Sequence, residues 1–558
     1  MYCCDNYGVV YTPEKLAGFV ADIMLDEIIS NQDILGKNAC ALDPACGEGI
    51  LLKELSNKLK NKNIFPTCWG IDVDSKVVES NIETFDSNKY KFIVENTILP
   101  SSKISAQNYW SQKLKNISLV IANPPWSSEK IFSKEDLDNA GYSFDVGQYD
   151  SYVLFIELCL KIAKPNAILA FIIPDSLFSG GNKGLRKFLL ENTEIRVLAR
   201  LGEKLFPNVN RATSIIVLRN SKPKKNAKTM CYRLDTDSRK NFLDNNLNLY
   251  DDFRKKNHKV LQMRFLENQD YVFDIDARQD EETLLRKIEK DAIDWKELFR
   301  FGRGVEISKT GSIVICGFCN MAQGYSKKQF QESVKKCQFC GKEIKLSSSN
   351  VSTIISDSDN ESFKPMYVGE NLHRYKFSGI KYIKPNVEGI NYKNENLYTP
   401  PRILIRKTGL GIYACIDYNS TYTSQTVYSV NYLDENHVVP LEYYLGVLNS
   451  RLIYYYYLKK YGENEWKSHP YLTKDIVFSL PLKSVSEQNY DIVSQIADCV
   501  KALQRQYDRK RDIEIENLVM KLYDINADEI KAIENELNSL PDLSAINQMK
   551  LKEGELYV

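Results

Sequence analysis

Short, continuous apolar runs alternate with amphipathic stretches from residue 14 to about 220, and this alternation constrains the fold more than any other feature of the chain. The runs 39–42, 68–71, 119–122 and 168–173 are too short for helices and lack polar side chains on either face, as strands covered on two sides must, and 195–201 and 213–218 also read as strands. Between them 50–59, 76–83, 153–163 and 185–191 read as helices. A further helix is expected over 14–30, where Leu16, Phe19, Val20, Ile23, Met24 and Ile28 fall on one side. Buried strands joined by helices make a largely parallel sheet with helices on both faces, an α/β fold.

After Lys222-Pro223-Lys224-Lys225 the pattern changes. Residues 229–290 are mixed and 281–299 read as one helix. From about 300 to Pro481, short strands, Gly and Pro punctuation and many Tyr indicate a β-rich region, and 487–538 carry apolar residues at helical period. The Ser- and Asp-rich patch 347–359 reads as a mobile loop. The expected domains are therefore 1–222, a connecting segment 223–299, a second domain 300–482 and a helical segment 483–558. The formal net charge is only +1, from 74 basic and 73 acidic residues, but its parts differ. Residues 1–220 carry 24 basic and 26 acidic side chains, 221–483 carry 41 and 32, and 484–558 carry 9 and 15. A polyanion is therefore expected on the middle part. The longest strictly apolar run, 167–173, is far short of a membrane span, and the start shows no secretory pattern. The 13 cysteines are thus expected to be reduced thiols of a cytoplasmic protein, where close pairs suggest metal.

Residues 42–49 read LDPACGEG. Asp43 ends the first strand, and Gly47 and Gly49 permit a tight turn and close approach of a ligand before the next helix. Such a turn alone is also what any strand-to-helix junction requires. A second acidic strand end, Asp72 in GIDVD (70–74), suits ribose hydroxyls and points to a nucleoside-containing cofactor. VIANPPW (120–126) then places Asn123 after a buried strand and before two prolines that stiffen the loop. The Asn123 amide oxygen and the Pro124 carbonyl can accept both N–H bonds of one exocyclic amino group, directing its lone pair at an electrophile. Trp126 offers a flat face to a base. Cys46 is expected to be a small packing residue in the cofactor loop.

Cys316, Cys319, Cys337 and Cys340 form C-x2-C-x17-C-x2-C. Each pair can chelate from one turn, and together they suit a closed tetrahedral structural Zn2+ site in a zinc-ribbon-like insertion. Lys327, Lys328, Lys335 and Lys336, between the pairs, either contact phosphate or are simply solvated.

The order YTP (11–13), DPACGEG, GIDVD, NPPW resembles the gamma-class N6-adenine DNA methyltransferases, most closely the TaqI-like group. That resemblance implies a Rossmann-like class I methyltransferase domain with a mixed seven-stranded sheet, followed by a β-rich α+β target-recognition domain and C-terminal helices. It implies binding of S-adenosyl-L-methionine, flipping of adenine out of double-stranded DNA and methyl transfer to N6. Carried onto this chain, Thr12 faces the methionine end of the cofactor, and Asp43, Pro44, Ala45, Gly47 and Gly49 form its main loop. Asp72 takes the ribose, with Val73, Pro125 and Phe155 around the adenine ring. Phe206 packs with Trp126 against the flipped base. Asn96 stands where the family has an Asp for the adenine amino group, and its carbonyl is expected to accept that bond. FGRGVEISK (301–309), YVGENLHRYKF (367–377), RILIRKTGLGIYACID (402–417), LNSRLIYYYYLKKY (448–461) and FSLPL (478–482) resemble the specificity region. Arg374, Arg406, Lys407 and Lys460 are candidate DNA contacts, each equally readable as an exposed charge.

Other readings are an RNA or protein amino-group N-methyltransferase and a non-catalytic zinc-dependent DNA-binding subunit. The large basic second domain argues against the first, and the intact Asn123-Pro124-Pro125-Trp126 against the second. A fused nuclease is not expected, with the first cofactor motif at Tyr11. A separately encoded restriction endonuclease is a candidate partner.

Overall fold

The computed structural model describes residues 11–30, 35, 38–126, 132–144, 150–207, 209, 211–434, 436–462, 470–552 and 555–556. The chain forms two compact units, Met1–Glu281 with Lys459–Ser468, and Glu282–Leu458 with His469–Val558. Among the described residues no helix is long and apolar enough to cross a membrane.

In the first unit the elements run α1 (Glu14–Ile29), β1 (Cys40–Asp43), α2 (Ile50–Lys60), β2 (Thr67–Asp72), α3 (Ser75–Thr84), β3 (Tyr90–Val94), α4 (Ala106–Lys113), β4 (Ile117–Ala122), α5 (Lys134–Ala140), α6 (Tyr152–Ile162), β5 (Ile168–Pro174), α7 (Lys183–Asn192), β6 (Glu194–Gly202) and β7 (Thr213–Arg219). They build a mixed sheet in the order β3-β2-β1-β4-β5-β7-β6, with β7 antiparallel to both neighbours. Every residue of β4 and β5 is buried, because helices cover both faces at the sheet centre. Leu16, Phe19 and Val20 of α1 pack with Leu51 and Leu55 of α2 on one face, while Tyr152, Leu154 and Leu158 of α6 pack on the other.

The six strands read from the sequence are present, β3 completes the seven that the resemblance implies, and two more extend the sheet to nine: β8 (Lys228–Arg233), parallel to β6, and β9 (His258–Leu261), antiparallel to β8. The boundary expected at 222 is therefore a turn within one sheet, and the first compact unit continues to Glu281. β8 escaped notice because it interleaves apolar and polar residues at an outer position, unlike the continuous runs of the centre.

The second unit holds an antiparallel sheet of Phe299–Arg303, Val427–Tyr432, Arg402–Arg406 and Ala414–Asp417. A second four-stranded sheet includes Lys364–Tyr367 and Lys381–Ile383, and helices Tyr490–Arg505, Arg509–Leu522 and Ala527–Asn538 close the unit. The helix expected over 281–299 is two pieces, Glu282–Glu289 and Trp295–Leu298. Asp291, at φ +58°, breaks it, and Asp294 caps the second piece by accepting from Lys296 N. The 347–359 patch is also ordered in part. Val351–Thr353 and Ile355–Ser356 are strands, because Ile354 and Ile355 are buried in an apolar cluster.

Candidate active site and metal centre

The carboxyl ends of β1, β2, β3 and β4 open on one edge of the sheet. The strand order reverses between β1 and β4, and a crevice forms there. A single cavity at this edge is lined by Thr12, Asp43, Pro44, Ala45, Gly47, Asp72, Val73, Asn96, Asn123, Pro124, Pro125, Trp126 and Phe155. Three motifs that lie up to about eighty residues apart in the chain therefore share one site. Gly49 and Phe206 do not line it. Gly49, at φ +73°, is the left-handed residue that starts α2.

The loop after β1 is held from several sides. Asp72 Oδ2 accepts from Gly47 N at 2.8 Å and its Oδ1 from Asp74 N at 3.0 Å. Asn81 Nδ2 donates to Gly47 O at 2.7 Å, and Thr97 Oγ1 donates to Pro44 O. Cys46 packs its buried thiol against Gly70 and Asn81, and burial, with Asp43 and Asp72 nearby, pushes that thiol well up.

Asp43 is 1% exposed. Its Oδ1 accepts from Ala45 N at 3.1 Å, but its buried Oδ2 has no hydrogen-bond partner among the described residues. Burial raises its pKa to about 8, the Ala45 bond opposing and Asp72 adding to the shift. A carboxylate so placed calls for a cation in the cavity.

The Asn123–Trp126 loop is fixed from behind. Asn123 Nδ2 donates to Thr12 Oγ1 at 3.1 Å, which orients the amide with Oδ1 as its acceptor side. Ser151 Oγ donates to Pro125 O, and Arg211 Nη1 to Trp126 O. Arg211 also pairs with the buried Asp150 at 2.8 Å, and Ser176 Oγ donates to the same carboxylate at 2.6 Å. Sequence reading missed Ser151, Asp150 and Arg211. A polar cluster just ahead of an apolar helix, and an Arg in the loop leading to β7, were the only signals. Trp126 is 8% and Phe206 3% exposed, and their rings meet edge to face at 5.3 Å. The two do come together, but in contact with each other rather than as walls of an open slot.

Asn96 departs from expectation. Its Oδ1 accepts from both Ile98 N and Leu99 N at 3.0 Å, so its two lone pairs already serve the backbone and Nδ2 is the atom left for a ligand.

In the second unit the Sγ atoms of Cys316, Cys319, Cys337 and Cys340 all lie within 4.8 Å of one another. Backbone N–H groups turn toward the thiols: those of Phe318 and Cys319 lower Cys316, and those of Cys340 and Phe339 lower Cys337 to about 6. This cluster could hold a metal as thiolate.

The candidate DNA contacts divide. Arg374 is 1% exposed and bonded to Asp512 and Glu516, and Lys460 is 3% exposed and donates to Asn268 Oδ1 at 2.8 Å. Both are corrected to internal partners of buried groups, which an exposed-charge reading of single residues could not foresee. Arg406 and Lys407 are half-buried, with the Arg406 guanidinium over Tyr413 and Nε donating to Thr408 O. Burial, and then the neighbouring Arg303, lower the Lys407 amine. Lys474 lies over Phe301 and Phe478, and Lys296 over Phe478, so a cationic rim with an aromatic floor borders this sheet. Arg303 and Lys474 were not singled out in the sequence.

Residues 40–206 match the family model of the Eco57I restriction-modification methylase, and residues 364–482 that of the TaqI-like C-terminal specificity domain. The chain thus carries an Eco57I-like methylase domain followed by a TaqI-type specificity domain. Among curated proteins it is 25% identical over 218 residues to the type II methyltransferase M.BanIII of Aneurinibacillus aneurinilyticus, covering 36% of each chain. It is also 25% identical over 238 residues to the type II restriction enzyme and methyltransferase RM.Eco57I of Escherichia coli, covering 36% of this chain and 22% of that one. The match therefore spans about a third or less of these relatives' length. A nuclease-deletion mutant of the type ISP restriction-modification enzyme LlaGI, solved with a DNA substrate mimic, aligns over 90% of this chain and 55% of its own, at TM-score 0.52 and 13% identity. The DNA-bound type ISP enzyme LlaBIII aligns over 91% and 40%, at TM-score 0.51 and 12% identity. Both are likenesses of fold.

Proposed function

We propose that the chain is a site-specific DNA methyltransferase that transfers a methyl group from S-adenosyl-L-methionine to N6 of an adenine flipped out of double-stranded DNA. The observation that carries this is the meeting of the Asp43 loop, Asp72 and Asn123-Pro124-Pro125-Trp126 in one cavity. The match of the two segments to a methylase and a specificity domain supports it. The cavity also fits the cofactor, since the unbonded Asp43 Oδ2 suits a ligand carrying positive charge.

S-adenosyl-L-methionine supplies, when bound, an electrophilic methyl group on a sulfonium. The protein's part is positional. Asp43 neutralises cationic charge, Asp72 holds the loop that would face the sugar, and Val73 and Phe155 bound the space for a flat base. The Asn123 amide oxygen and the Pro124 carbonyl take the two N–H groups of the target amine and turn its lone pair toward the methyl carbon. With the cofactor bound, transfer would form the N–C bond as the S–C bond broke, and the amine would release one proton to solvent. Thr12, Ser151 and Arg211 keep the acceptors in place. Phe206, edge to face with Trp126, packs with it against the flipped base. The four cysteines would hold a structural Zn2+. The cationic rim of Arg303, Lys407 and Lys474, with Arg406, contacts DNA. A reduced thiol cluster suits the cytoplasm, and the names of the relatives support a restriction-modification setting; a separately encoded endonuclease is the partner this reading calls for.

Labelled cofactor offered with duplex DNA, RNA and protein tests the substrate class. Label appearing only in RNA or protein would refute the proposal. Asn123→Ala should lower methyl transfer by about a hundredfold or more while DNA binding persists. Wild-type transfer by this variant would overturn the mechanism.

A further inference from the structure

The cysteine module lies between the two matched segments and carries an apolar surface that the catalytic reading leaves unused. Both of its turns have the form Cys-x-Phe-Cys, so Phe318 and Phe339 occupy equivalent places. The four thiols face one another and both rings stand out, Phe318 63% and Phe339 46% exposed. Ile315, beside the first turn, is 47% exposed. The module's own core is small, with Val314, Ile344 and Leu346 around the buried thiols. Apolar area left in water at two equivalent tips has no role in that core and marks a contact surface.

The charge on the module has one sign. Residues 311–353 contain six Lys (327, 328, 335, 336, 342 and 345) and two Glu (332 and 343), with no Arg or Asp. Lys328 pairs with Glu332, and Lys336 lies opposite Glu343 in the hairpin of Val334–Lys336 and Glu343–Lys345. Lys327, Lys342 and Lys345 are exposed and make no ion pair among the described residues. The Lys342 ammonium rests 4.5 Å from the centre of the Phe318 ring, so one tip presents a cation and an apolar face together.

We propose that this module is a second duplex-DNA contact, in which Phe318 and Phe339 meet sugar and base edges in a groove while Lys327, Lys342 and Lys345 neutralise phosphates. The proposal rests on the reading of the chain as a DNA methyltransferase. A duplex alternates dense negative charge with apolar sugar and base edges, and unpaired ammonium groups beside bare rings complement that pattern. An acidic protein surface would answer the lysines but not two separate aromatic tips.

The test uses the full chain, a long labelled duplex and two variants: Phe318→Ser with Phe339→Ser, and Lys327→Ser with Lys342→Ser and Lys345→Ser. Metal content is measured alongside, since retained Zn2+ reports an intact module. The first variant should bind DNA about tenfold more weakly. In the second, the slope of log affinity against log salt should fall by about three. Methyl transfer at saturating DNA should persist in both. Wild-type affinity and salt slope in metal-replete variants would overturn the proposal and assign the tips to a protein partner. Should the first variant lose its metal, the lysine variant, altered only on the exposed face, decides by the same slope. A wild-type chain that neither binds nor methylates duplex DNA would refute the methyltransferase reading itself, a result distinct from variants that match a DNA-binding wild type.

Discussion

A charged quartet in the second unit and one carboxyl in the first are buried in opposite ways. In the second, Arg374, Arg451, Asp512 and Glu516 are each no more than 1% exposed, yet every charge meets another. Arg374 bonds both Asp512 oxygens and Glu516, and Arg451 bonds Glu516, Asp512 and the carbonyls of Gln548 and Met549. Burial opposes ionisation of Asp512, but the two guanidinium groups hold it down at about 2. In the first unit Asp43 is equally buried and has one backbone bond, an unbonded oxygen and a pKa raised to about 8. A buried charge whose partners come from its own chain is architecture. One whose partner is missing from its chain waits for a ligand.

Removing a partner from the saturated network should produce the largest stability change. Arg451→Ala leaves Asp512 and Glu516 short of a counter-charge in a dry interior and is expected to cost about 3–5 kcal/mol of stability, measured by denaturant unfolding of the full chain. A loss below about 1 kcal/mol would show that the quartet behaves like surface pairs and would erase the contrast.

Asp43→Asn should do the reverse, leaving stability level or slightly higher while cofactor affinity falls about tenfold to a hundredfold. Its pH dependence is unusual for a carboxyl. With the folded pKa raised, the folded state holds the proton more tightly than the unfolded chain. The group's contribution to stability is thus fully present below the ordinary carboxyl pKa and is lost as pH rises toward about 8. Binding of a cation requires the ionised form, so affinity should climb as pH approaches about 8 and level off above it. Among the described residues the titratable groups beside Asp43 are the Asp72 carboxylate and the neutral Cys46 and Cys159 thiols, none of which supplies a counter-charge. Calorimetry in buffers of different ionisation enthalpy should detect a proton released on binding near neutral pH, and none in Asp43→Asn. Equal proton release in the variant would detach the pH effect from Asp43.

This contrast also explains what could be read from the chain. Motifs whose members must converge, LDPACGEG, GIDVD and NPPW, sit at strand ends that parallel topology forces to one edge, so their meeting was legible from residue order. The four cysteines were legible for a similar reason, since each pair shares one turn. Arg374 and Lys460 carry no such constraint. Whether a lone cation faces solvent or a buried carboxylate depends on Asp512 and Asp274, residues far off in the sequence with no pattern linking them to it. β8 and β9 were hidden because outer strands need not be apolar on both faces. Arg211, which holds Trp126 O, was hidden because side chain to backbone bonds leave no periodicity.

The smallest expected effect concerns Asn96, which lies between the two cases: its polar atoms are partnered, but at the cavity wall. Since Oδ1 serves Ile98 N and Leu99 N, the amide offers a donor, Nδ2, where an adenine amino group would need an acceptor. In Asn96→Asp one carboxylate oxygen can keep both backbone bonds while the other accepts from the cofactor. The exchange of a donor for an acceptor is worth about 1 kcal/mol, a rise in cofactor affinity of roughly fivefold, with methyl transfer at saturating cofactor unchanged. Titration of S-adenosylhomocysteine against its inosine analogue, which lacks the amino group, assigns the gain. Asn96→Asp should improve binding of the adenine compound and leave the inosine compound no better. Equal gains for both would mean that the carboxylate acts as a general counter-charge, and would move Asn96 from the reading of the base to the electrostatics that Asp43 already dominates.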